Sequence, residues 1–192
     1  IEGINEKDQI YENTDDILLD SERIIRKYHD AVKFSMCRIS IAPCTIFNAS
    51  SKLYEESRTL SKKYKVSCHT HLCETSSEVD YALKHFTKKP LPYLQSLGWI
   101  GEDVWFSHMN YLDDNDIELL SKSKSGVTHC PCTNIRAKGK VPPLLKLIEK
   151  GINISLGTDG AAGNDSLNML EEGRWSRVTL ENDPKNQKYL GG

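Results

Sequence analysis

Five short β-prone runs recur along this chain, each followed by a helical stretch, at a spacing of roughly 25 to 35 residues, the length that a strand, a crossover helix and two loops take up. The runs are Arg38-Ile39-Ser40-Ile41-Ala42-Pro43, Val66 to Thr70, Val104-Trp105-Phe106-Ser107, Gly126-Val127-Thr128 and Ile152-Asn153-Ile154-Ser155-Leu156. They are rich in β-branched residues and too short to read as helices. Between them the apolar residues return at intervals of three and four. Ser50 or Ser51 can cap a helix through Leu53, Ser57, Leu60 and Tyr64, and Ser76 or Ser77 opens one carrying Val79, Ala82, Leu83 and Phe86. Pro90 and Pro92 precede a short helix near Tyr93-Leu94-Leu97 that stops at Gly98. Asp113 or Asp114 caps a helix with Ile117, Leu119 and Leu120, and Leu144, Leu145, Leu147 and Ile148 form the core face of another that ends at Gly151. Ahead of the first unit, Ile17, Leu18, Ile24, Ile25 and Tyr28 predict one amphipathic helix, acidic at its start and basic at its end.

Consecutive βα units predict an α/β fold with a parallel sheet and right-handed crossovers, either a barrel or a doubly wound sheet. Polar residues favour the barrel. His71, His108, His129 and Asp159 each fall at the C-terminal end of a different strand, and side chains from many strands meeting on one face is how a barrel builds a site. Beyond Leu170 the pattern weakens. The expectation is a barrel-like unit over 1–170 and a frayed tail over 171–192 with at most one helical turn.

Composition excludes several function classes. The formal charge is −2 with acids and bases interspersed, so no basic field recruits phosphate backbone or anionic lipid, and neither nucleic acid nor a membrane surface is expected as a partner. No apolar run reaches the roughly 20 residues of a membrane span, and Ile1-Glu2-Gly3-Ile4-Asn5-Glu6 does not read as a secretory leader, so a cytoplasmic protein is expected. The six cysteines fall at 37, 44, 68, 73, 130 and 132, mostly in or beside apolar runs, where a thiol behaves as a small hydrophobe. A zinc site from His129, Cys130 and Cys132 is disfavoured, because two thiols separated by one proline chelate a tetrahedral ion poorly.

The stretch Val66 to Glu74 carries the chemistry. His71 and Glu74 stand three apart where the apolar run stops, and Asp159 sits at another strand end in Leu156-Gly157-Thr158-Asp159-Gly160, among glycines that let the backbone turn sharply. One imidazole and one carboxylate are two ligands for a divalent metal, zinc or alternatively iron, and such an ion lowers the pKa of water from about 16 towards about 7. Glu74 then moves protons, Asp159 takes a second one and His108 orients the nucleophile: metal-assisted hydrolysis. His69 lies one layer deeper on the face of His71 and reads as structural. His29 and His85, in helical stretches, read as surface residues, and a lone strand-end histidine such as His129 reads first as a hydrogen-bonded structural group.

The ordered strings His69-Thr70-His71-Leu72-Cys73-Glu74-Thr75, Trp105-Phe106-Ser107-His108, Thr128-His129-Cys130-Pro131-Cys132-Thr133-Asn134 and Leu156-Gly157-Thr158-Asp159-Gly160 resemble the metal-dependent amidohydrolase superfamily. Within it the chain is most similar to 8-oxoguanine deaminases and hydroxyatrazine-type aminohydrolases, and also similar to methylthioadenosine and adenosylhomocysteine deaminases. The resemblance runs from about Asp16 to about Leu170 and implies a partial (β/α)8 TIM barrel, about strands four to eight. It implies that His71 is the strand-five metal ligand, Glu74 the proton shuttle, His108 the strand-six histidine beside the nucleophile, and Asp159 the strand-eight ligand and base. His129, Asn134 and Arg136 would lie by a small heterocyclic substrate, and the full-length parent is expected to form a homo-oligomer. Three features depart from the pattern. The family's first-strand His-x-His pair has no counterpart here, and neither do its first three βα units or its C-terminal portion. The expectation is therefore a fragment, inactive alone, of a hydrolytic deaminase that releases ammonia. The competing expectation is a non-catalytic remnant or a partner-dependent piece.

Overall fold

The structure is a computed structural model and describes residues 12–137 and 139–182. In chain order it contains α1 (Thr14–Tyr28), β1 (Ser40–Ile41), α2 (Ser51–Tyr64), β2 (Ser67–Leu72), α3 (Ser76–Phe86), α4 (Pro90–Ser96) and β3 (Val104–His108). There follow α5 (Asp114–Ser123), β4 (Gly126–His129), α6 (Pro131–Arg136), α7 (Leu144–Glu149), β5 (Ile154–Leu156) and α8 (Met169–Asn182). The five strands form one sheet in the order β1-β2-β3-β4-β5, every pair parallel. Strands adjacent in sequence are adjacent in space, as simple βα repetition requires.

Register divides the sheet into two unlike faces. His69 pairs with Trp105, His71 with Ser107, Ser107 with Thr128 and Thr128 with Ser155, so these side chains share one face by the period of two. That face is polar and mostly half-buried. The other carries Cys68, Thr70, Leu72, Val104, Phe106 and Val127, all buried. Against this second face the helices pack Tyr54, Leu91, Leu94, Ile117, Leu120 and Leu147 into the main core, joined by Trp99 from the connection after α4. A smaller cluster of Ile25, Ile41 and Val66 seats α1 beside β1.

Helix starts follow from short polar side chains that accept the first free backbone N–H groups. Asn13, Ser50 and Thr75 cap α1, α2 and α3, and Asp113 forms a capping box with Asp116 at α5. The cap of α3 is Thr75 rather than Ser76 or Ser77. A buried arginine ties the first two units together: Arg58 on α2 pairs bidentately with Asp103 at 2.6 and 2.8 Å and donates to Gly98 O at 2.9 Å. No helix among the described residues is long and apolar enough to cross a membrane.

Three expectations need correction. Residues 171–182, expected to fray with at most one helical turn, belong to one helix of 14 residues, Met169–Asn182. It docks through Glu172, whose carboxylate accepts from Cys132 N at 3.1 Å and from the Asn164 amide. The sequence 131–136, read as part of a motif, forms α6 with proline at its first position, where a missing N–H costs nothing. His29 is not a surface residue: it closes α1, and its Nδ1 accepts from Ile39 N at 3.0 Å, anchoring the approach to β1. Residues 1–11, including the stretch read as lacking a leader, and residues 183–192 of the expected tail lie outside the described residues.

Candidate metal centre

Strands β2 and β3 and the turn after β5 each leave the sheet through left-handed backbone at non-glycine residues: Cys73 (φ 54°), His108 and Met109 (φ 73° and 54°), and Asp159 (φ 58°). This matters most at His108. It pairs with Leu72, whose side chain faces the helices, so regular alternation would carry the imidazole to the same apolar side. The left-handed turn instead brings its Nε2 to 3.7 Å from Asp159 Oδ2 and 3.9 Å from Glu74 Oε2.

His71 approaches Asp159 from the other flank, Nε2 to Oδ1 at 3.4 Å. Its orientation is set behind the ring. Nδ1 lies 3.0 Å from the carbonyl oxygen of Cys44, which can only accept, so Nδ1 carries the proton and Nε2 presents its lone pair to the cluster. The backbone N–H of His71 donates to that same carbonyl at 3.0 Å. When that lone pair is not ligating, Asp159 favours a second proton on Nε2, which raises His71 and holds the Asp159 carboxyl down at about 2.

One ligand atom each from His71, His108 and Asp159 lies within 4.8 Å of the others. Tetrahedral zinc bonded at about 2 Å separates its ligand atoms by roughly 3.3 Å, close to the spacing seen between each imidazole and the carboxylate. His108 Nε2 is fully buried yet makes no hydrogen bond within the protein, an arrangement tolerated where a ligand supplies the partner. Imidazole nitrogen and carboxylate oxygen are the donors zinc and ferrous iron take. The residues fit a divalent ion.

Glu74 is held at its backbone while its side chain stays one-third exposed. Its N–H donates to Glu78 Oε2 at 2.9 Å and its carbonyl accepts from Asn110 Nδ2 at 3.1 Å. Glu78 is 2% exposed, and burial pushes its carboxyl up to about 7. Neither Glu78 nor Asn110 figures among the sequence-derived site residues. The Thr75-Ser76-Ser77-Glu78 spacing is a capping-box signature and contained the signal for Glu78; nothing in the sequence marks Asn110.

The structure thus brings His71, Glu74, His108 and Asp159 together. The other three candidates are placed differently. Asn134 is 2% exposed and spends its amide on His108 and Asn110, at 3.1 Å and at 3.0 and 2.9 Å. His129 is fully buried, with neither ring nitrogen hydrogen-bonded within the protein, and burial lowers it to about 4. The first reading, a hydrogen-bonded structural histidine, is therefore wrong in its hydrogen bonds. Arg136 is half-exposed, pairs with Asp165 and lines a cleft of about 400 Å³ with Cys132, Asn164 and Trp175. His69 stacks on Trp105 with centroids 5.1 Å apart, a packing role one layer below the cluster.

A profile described as the amidohydrolase family matches residues 9–188. The chain is 35% identical to the 8-oxoguanine deaminase of Pseudomonas aeruginosa over 166 residues, covering 86% of this chain and 37% of that protein. It is also 35% identical to the 5-methylthioadenosine/S-adenosylhomocysteine deaminase of Thermodesulfovibrio yellowstonii, over 82% of this chain and 35% of that protein. Among solved structures it superposes on an adenosine deaminase from Xanthomonas campestris with bound zinc, with TM-score 0.80 and 25% identity, covering 87% of this chain and 37% of that one. The chain spans about a third of the length of the relatives it matches. Its α/β fold is a partial TIM barrel.

Proposed function

Since the chain belongs to the amidohydrolase family, we infer that the protein it represents is a metal-dependent hydrolytic deaminase of an aminated purine or related heterocycle, 8-oxoguanine-like, releasing ammonia. The observation that carries this reading is the meeting of His71, His108 and Asp159 within 4.8 Å, with the Glu74 carboxylate 3.9 Å from His108 Nε2. In it His71 and Asp159 hold zinc or iron. A bound ion of this kind supplies Lewis acidity and makes water a competent nucleophile near neutral pH.

The protein's own groups do the rest. Glu74 combines a fixed backbone with a partly solvated carboxylate, which suits a group that takes a proton from water and delivers it to a ring nitrogen of the substrate. Asp159 accepts the second water proton and passes it to the departing amine, so water and the amino compound become the oxo compound and ammonia. His108 Nε2 accepts a hydrogen bond from the attacking water and orients it. Arg136 is the candidate contact to the heterocycle, although the cleft it lines contains none of the four cluster residues.

A second reading, that the isolated 192 residues keep the site without turnover, is favoured by the third-length coverage of the relatives. Ammonia release from 8-oxoguanine and methylthioadenosine, and ethylamine release from hydroxyatrazine, with and without added zinc, separate the two. Release by this chain selects the catalytic reading. In a complete, active parent, Glu74→Gln is expected to lower kcat by at least about a hundredfold, the usual scale for losing a general acid–base, while metal content measured by atomic absorption stays at the unmutated level. A near-normal rate would remove Glu74 from the mechanism.

A further inference from the structure

Two asparagines behind the cluster decide which nitrogen of His108 carries its proton. The carbonyl of Glu74 can only accept, so the Asn110 atom that meets it at 3.1 Å is the amide nitrogen. That settles the flip of Asn110: its Oδ1 accepts from Asn134 Nδ2 at 2.9 Å, and its second amide hydrogen goes to Asn134 Oδ1 at 3.0 Å. Asn134 therefore turns an oxygen towards His108, and the ring atom 3.1 Å away, Nδ1, must be the donor. All three side chains are nearly or fully buried, Asn110 at 5%, Asn134 at 2% and His108 at 0% exposed, so water does not compete for these bonds.

The opposite arrangement can be weighed. Flipping both amides would set Asn110 Oδ1 against Glu74 O, two acceptors face to face, and move the His108 proton to Nε2. There it would face carboxylate oxygens at 3.7 and 3.9 Å, beyond hydrogen-bond length. One good bond would be lost and none gained.

We propose that Asn110 and Asn134 are positioning residues that act through His108: a reciprocal pair of side-chain amides, keyed to the backbone carbonyl of Glu74, holds His108 as the Nδ1–H tautomer and keeps its Nε2 lone pair aimed into the His71–Asp159 cluster. The same carbonyl belongs to the residue assigned as proton carrier, so one amide pair keeps both groups in register. The tautomer follows from the hydrogen bonds alone; its use in orienting water rests on the reading given above.

Nitrogen NMR of the chain carrying isotope-labelled histidine, at neutral pH and without metal, tests this directly, with the His108 signals assigned by their loss in His108→Gln. The expected result is a protonated, pyrrole-like Nδ1 and a bare, pyridine-like Nε2 at His108. Asn134→Leu removes the acceptor and is expected to exchange the two shifts, while Asn134→Asp, which keeps an acceptor towards Nδ1, is expected to restore the original pattern. A proton on Nε2 in the unmutated chain would overturn the proposal, and so would a leucine variant that folds by circular dichroism and shows the same tautomer. Should the leucine variant not fold, the unmutated and aspartate spectra still decide. Turnover plays no part in this measurement, so a failed Glu74 mechanism and a failed amide pair give different results.

Discussion

Burial raises the Glu78 carboxyl from its ordinary 4.5 to about 7, and the sign of the consequence follows. Between those two values the unfolded chain has released the proton that the folded chain still holds. Stability therefore falls as pH rises through that window, by at most about 1.4 kcal/mol per pH unit, and the penalty is absent below it. Asp103 and Asp113, both lowered by cationic partners, Arg58 and Lys89, act in the opposite sense and lose their contribution as pH falls. The difference between the unmutated chain and Glu78→Gln isolates the one effect: the glutamine still accepts from Glu74 N, and urea midpoints are expected to show the variant gaining relative stability from about pH 4.5 to about pH 7. A pH-independent difference would mean that Glu78 ionises normally. At this scale the sequence was legible where position follows from strand ends and spacing, as in the meeting of His71, Glu74 and Asp159 on one side of the sheet. It was opaque where a role depends on geometry. Asn134 reads as a contact to substrate until its amide is seen bonded to Asn110.

Elements built on apolar periodicity were readable: α2, α3 and α5 begin within a residue of their expected caps. α8 was not, because only Glu172 of its 14 residues is buried and Gly173 lies in its interior, so the helix shows the sequence no apolar stripe. Its docking is polar instead. Glu172 bridges the N-terminal turn of α6 and Asn164, which also donates to Thr158 O at 3.0 Å, next to Asp159. Glu172→Ala leaves the part-buried Cys132 N–H without its acceptor and opens a void, and it is expected to cost about 2 to 4 kcal/mol in urea unfolding. Its zinc affinity, measured by calorimetry, is expected to fall as the Asp159 turn loosens. A loss under about 0.5 kcal/mol would place α8 outside the cooperative unit. α6 escaped notice for another reason: it has six residues, and its opening proline and flanking cysteines read as a motif rather than a helix start.

For the whole molecule, a ligand that binds only the folded state adds RT ln(1 + [L]/Kd), about 2.7 kcal/mol at a hundredfold excess over Kd. For a chain of this size that corresponds to a midpoint rise of several degrees. Zinc is expected to raise the calorimetric midpoint of the chain, a chelator to reverse the rise, and His71→Ala to abolish it. An equal rise in the alanine variant would assign the effect to the cysteines or to His29 and His85. The polar face of the sheet bears on how large the rise can be. Charges that look out over a half-wet surface act through a medium closer to water than to protein interior, where the same Coulomb energy is smaller by roughly an order of magnitude. The attraction between Asp159 and a cation beside it is thus governed by what lies over His69, Trp105 and Thr128. Replacing solvent there with low-polarity material would deepen the electrostatic well at the cluster without displacing a single ligand atom.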